Sequence, residues 1–160
     1  MAGSTGRPDP ELFRPTVTGT PAYDPAPWRP DSNFYVAFFG GIVPATIIAF
    51  LNALRLHAPE AARRVLVAGV AALALFALGA YLIGTNVEDA EAARRYSRLG
   101  VRAGGVLVHF LFLSWLKGPW RRFEIVRGTE PAPMWGPGFG AWLVGILVQA
   151  AVTVALMEQV

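Results

Sequence analysis

Arg102, His109 and Gln149 are the side chains most open to chemistry in this sequence, because each lies in or beside a run of apolar residues. An arginine in such a run is costly unless it snorkels, pairs or faces a hydrated cavity. His109 follows Arg102 by seven residues, two helical turns, so both fall on one face and could line a polar track. The competing uses are snorkelling for Arg102 and an interhelical hydrogen bond for His109. A proton, metal or haem role for His109 is the sharper alternative. His57, the other histidine, falls between apolar runs, so a single chain offers no intramembrane histidine pair for axial haem ligation. Gly145, Gln149 and Thr153 recur every four residues as a small, polar stripe, and Asn52 closes the first apolar run. Such residues cap helices or bond across them.

Absences narrow the chemistry further. The apolar runs at residues 34–54, 65–84 and 139–157 hold no Asp, Glu, Lys, Arg or His, so a proton coupler built on a carboxylate has no carboxylate there. No P-loop, HExxH or nucleophilic serine motif is present, and the GPGFG stretch at 136–140 is too short for a dinucleotide fingerprint. The absence of cysteine excludes disulfides, thiolate catalysis and cysteine-ligated metals. No cofactor is expected, and an enzyme would need an unfamiliar site near His109.

The elements that must position these residues follow from composition. Of 160 residues, 54% are hydrophobic and 16% charged, which predicts that lipid is the solvent for much of the chain. Residues 1–33, rich in Pro, Gly and Thr, read as a disordered tail with no cleavable signal peptide, ending in aromatic residues suited to the headgroup layer. Residues 34–160 read as an all-α domain of four transmembrane helices in a bundle, at about 34–54, 65–84, 87–116 and 139–157. The first should span as one helix, kinked near Pro44. The third is long, with an amphipathic start: Thr85 and Glu88 have capping-box spacing, and Arg94, Arg98 and Arg102 form one stripe.

Small residues mark where helix backbones could approach. Gly40, Gly41 and Pro44 in the first run, Gly100 and Gly104 in the third, and Gly145 in the fourth are the expected packing positions. Ala68 with Ala72, and Ala80 with Gly84, have the same spacing. Lys117, Arg121 and Arg122, among Trp120 and Phe123, suit a membrane-surface loop and contact with anionic headgroups. The scattered cations argue against nucleic acid as a partner. With four spans both termini share a side, and the near-membrane Lys and Arg count, five against seven, places them outside.

The run FFGGIVPATIIAFLNALRL, with its glycine pair, Pro44, Asn52 and basic turn, resembles the first helix of small bacterial four-helix integral membrane proteins. That resemblance implies helix order but carries no activity or site residue. The alanine- and arginine-rich composition also points to a high-GC bacterial source. The expected role is a non-enzymatic structural or accessory subunit of the cell membrane, acting by helix association as a homo-oligomer or within a larger assembly. A small transporter or channel using Arg102, His109 and Gln149 is the alternative.

Overall fold

The computed structural model describes residues 25–86, 89–127 and 131–157. The expected disorder of the first 24 residues concerns a segment outside them. Five helices and no strands are found among the described residues: α1 (Asn33–Gly40), α2 (Ile42–Arg55), α3 (Pro59–Asn86), α4 (Ala90–Arg127) and α5 (Trp135–Met157), with a 3-10 turn at Pro30–Ser32. Two of them, α3 and α4, are long and apolar enough to cross a membrane.

The largest departure from expectation is at residues 34–54. They form no single spanning helix: the chain reverses at Gly41, whose φ of 80° lies in the left-handed region that favours glycine. Four hydrogen bonds then tie its two arms together. The Asn33 amide donates to the Ala45 carbonyl, Asn52 pairs with Trp28, and Arg55 donates to the Ala26 carbonyl. Residues 26–40 and 42–55 therefore run antiparallel as a helical hairpin. Pro44 bends nothing, because it falls in the first turn of α2, where an amide has no intrahelical partner to lose.

Residues 25–32 are packed too, which corrects the expectation of a disordered tail as far as residue 33. Pro27, Trp28, Pro30 and Asn33 are buried. The turn from α2 to α3 closes with His57 at φ 50° and the Ala58 amide bonded to the Ala53 carbonyl, a Schellman-type end, and Pro59 opens α3.

The third helix extends past the expected stop at residue 116 and runs through Pro119 to Arg127. Proline removes one backbone bond there, but Val108, Phe112, Leu116, Trp120 and Phe123 continue a buried stripe at helical spacing. That stripe packs with Ala49 and Ala53 of α2, with Leu56 just after it, and with Ala61, Ala62 and Val65 of α3. Residues 117–127, expected in a loop, are thus helical, and α5 begins at Trp135.

The hairpin is the centre of the molecule. α3 and α4 pack against each other and against α2, α4 also covers α1, and α5 packs on α1 and α2. The hairpin's open end, the mouth, lies with the start of α3, the end of α4 and the start of α5, where the Ala132 amide donates to the Pro27 carbonyl. Pro25 and Met157 consequently lie at opposite ends of the bundle; the chain ends themselves, expected to share a side, lie outside the described residues.

Candidate functional site

The apex of the hairpin is seated among glycines from every neighbouring helix. A Cβ on Gly105 of α4 would collide with the Ala37 carbonyl oxygen and lie 2.8 Å from the Gly41 Cα. One on Gly145 of α5 would meet the Pro44 ring at 2.5 Å, and one on Gly40 would meet the same ring. On α3, a Cβ at Gly69 would collide with Thr46, whose hydroxyl donates back to the Ile42 carbonyl at 2.7 Å. The apex backbone is also satisfied, since the Gly41 amide donates to the Ala37 carbonyl and its carbonyl accepts from Ala45.

Of the expected packing positions, Gly40, Gly41, Pro44 and Gly145 converge here. A Cβ on Gly104 would lie 3.3 Å from Ile42, whereas one on Gly100 would make only ordinary contact with Phe76 at 3.8 Å. The closest approach on α4 is Gly105. Its neighbour Gly104 is the one with GxxxG spacing, and no local pattern marks Gly105 as the closer.

At the mouth, Asn52 serves the backbone of the entering segment, where a helix cap or a neighbouring helix was expected. Its amide accepts from the Trp28 N–H at 2.8 Å and donates to the Trp28 carbonyl at 2.9 Å. The Arg55 guanidinium lies 3.7 Å over the Trp28 ring and donates to the Ala26 carbonyl at 3.0 Å. Partial burial draws its pKa below the ordinary value, yet an arginine stays a cation.

His109 is buried and its Nδ1 has no hydrogen-bond partner; the Asn33 Oδ1 is buried and orphaned likewise. Helix register brings these residues together. Gly105 sits against Ala37, and one turn toward the mouth on each antiparallel helix places His109 opposite Asn33. The His109 ring accordingly meets Phe34, the next residue, with centroids 5.8 Å apart. Arg102 is exposed and lies 5.9 Å from the Phe38 ring, which stacks on Phe34. The two polar groups do share a face, but two phenyl rings separate them.

Gln149 belongs to α5, but its side chain lies outside the described residues. No group of three or more His, Asp or Glu side chains gathers among the described residues. Asn33, Arg55, Gly69 and Gly105 were not singled out from sequence. Their importance depends on partners 12 to 68 residues away in the chain, which no local pattern encodes. No protein family, curated protein or solved structure matches this chain.

Proposed function

We propose that this chain is a multi-pass protein of the cell membrane that acts without catalysis, as a packing or accessory subunit. In this reading α3, α4 and α5 cross the bilayer, and the α1–α2 hairpin enters and leaves on one face. The fourteen residues of α2 reach about 21 Å into a hydrocarbon layer of roughly 30 Å, past its middle but not through it.

The observation that carries the reading is the outer surface of α3. Only 6% of its most apolar 18-residue stretch is buried within the protein, and Val67, Val70, Leu75, Leu78 and Leu82 are exposed. Water is a poor solvent for so large an apolar face, whereas lipid suits it. A Cβ added at Gly79 or Gly84 would meet nothing within 4 Å, and Gly84 is exposed while Ala80 is half-buried, so the Ala80–Gly84 pair leaves open surface at Gly84. Small residues on a lipid-facing helix permit close approach of another helix.

The test is disulfide crosslinking in native membranes. The chain has no cysteine, so single cysteines at Ala80 and Gly84 report contacts at those positions alone. Crosslinked species from these sites, together with stoichiometric co-purification in mild detergent, are expected. A monomer that crosslinks to nothing would overturn the association reading.

A further inference from the structure

The fold gathers cations that are distant in sequence onto the mouth. Ala62 and Val65 of α3 share a buried cluster with Trp120 and Phe123 of α4. Arg63 and Arg64 are therefore brought to the same end of the bundle as Lys117, Arg121 and Arg122, and all five side chains are exposed. None of the five makes an ion pair with a carboxylate among the described residues, although Asp31, Glu60 and Glu124 are also exposed at that end. Lys117 to Arg122 rises about 7.5 Å along a helix, close to the depth of one headgroup layer, roughly 6 Å. Lys and Arg also divide unevenly once the hairpin sets the parity: four in residues 29–64 and four in residues 117–127 at the mouth, against four in residues 94–102 at the far end.

Building on the membrane reading above, we propose that the mouth is the cytoplasmic face and that Arg63, Arg64, Lys117, Arg121 and Arg122 form one site for the phosphate headgroups of anionic phospholipids. Trp120 packs beneath this cluster, while the exposed Trp135 at the start of α5 supplies an interfacial aromatic. The positive charge follows the bias that retains cationic loops in the cytoplasm, the leaflet surface where anionic lipid attracts them.

The experiment uses the full chain in neutral detergent, with phosphatidylglycerol or phosphatidylcholine added and bound lipid read by native mass spectrometry. Each juxtamembrane cation is worth about fivefold in affinity, so R63Q/R64Q/R121Q/R122Q should lose phosphatidylglycerol at least tenfold, while R95Q/R98Q at the far end should keep it. Equal retention of both lipids, or equal loss in both variants, overturns the site. Displacement of phosphatidylglycerol by millimolar inorganic phosphate would show a free-anion site and overturn the lipid assignment. Orientation is read with a membrane-impermeant maleimide on intact cells: Asp89→Cys should label, and Glu124→Cys should label only after lysis. The reverse pattern overturns the cytoplasmic mouth. Carbonate extraction of the wild type separates the two readings, because release from the membrane fraction sinks the membrane reading itself, whereas retention without lipid preference sinks only this one.

Discussion

The side-chain amide of Asn52 pairs with the backbone of Trp28 in both directions, across 24 residues of chain. It thereby holds the entering segment against the helix that leaves, and with Arg55 it closes the hairpin at its mouth. Asn52→Leu orphans a buried N–H and a buried carbonyl together, so a loss of about 2–4 kcal/mol is expected. Asn52→Asp keeps the acceptor and should lose less. Thermal unfolding in detergent checks the ranking; equal effects of the two variants would show that the pairing is not what stabilises this end.

Arg55 covers the Trp28 ring and ties down the Ala26 carbonyl. Arg55→Lys keeps the charge but loses the planar stack, and Arg55→Ala loses both. Limited proteolysis of residues 25–32 should quicken in the order wild type, Lys, Ala. Identical cleavage rates would assign the segment's order to Asn52 alone.

Glycine substitutions distinguish the cradle from the outer surface. Gly105→Ala drives a methyl group into the Ala37 carbonyl and the Gly41 backbone, with an expected cost of about 1–3 kcal/mol or more. Gly41→Ala adds left-handed strain to a contact 2.6 Å from Val101 Cγ1. Gly79→Ala meets open space and should stabilise α3 by up to about 1 kcal/mol. Chemical denaturation of the three proteins compares them directly, and a Gly105→Ala variant as stable as Gly79→Ala would refute the seated apex.

Asn33 Oδ1 and His109 Nδ1 are each buried without a partner, and helix register sets both residues one turn from the Gly105–Ala37 contact, so their contributions should not add. A double-mutant cycle with Asn33→Leu and His109→Leu is expected to give a coupling of about 1 kcal/mol or more. Additivity within experimental error would show that the two groups act independently.

Arg102 stands in solvent contact above Phe38, a pairing worth about 0.5–1 kcal/mol. Arg102→Ala should leave the fold and the crosslinking pattern of α3 unchanged. Loss of an ion or solute flux in that variant, with the fold intact, would instead favour transport.

Helix α3 was legible from its uncharged run, and the long helix with a polar start from the charges at residues 88–102, because local periodicity and charge carry those decisions. The end of α4 departs from its local pattern for a physical reason. A Gly118–Pro119 step normally stops a helix, but here burial of Trp120 and Phe123 outweighs one lost backbone bond.

By itself the sequence determined an all-helical, largely apolar chain, the glycine-rich content of its first run and the positive charge flanking its helices. Tertiary structure decided that this run doubles back, which in turn decides the parity of the bundle and the company of its arginines. Absence of charge in a 21-residue run does not choose between one helix and two, although two leave extra end groups to be satisfied. Only the space left by Gly69, Gly105 and Gly145, and the clasp of Asn52 on Trp28, make the hairpin the better-packed choice.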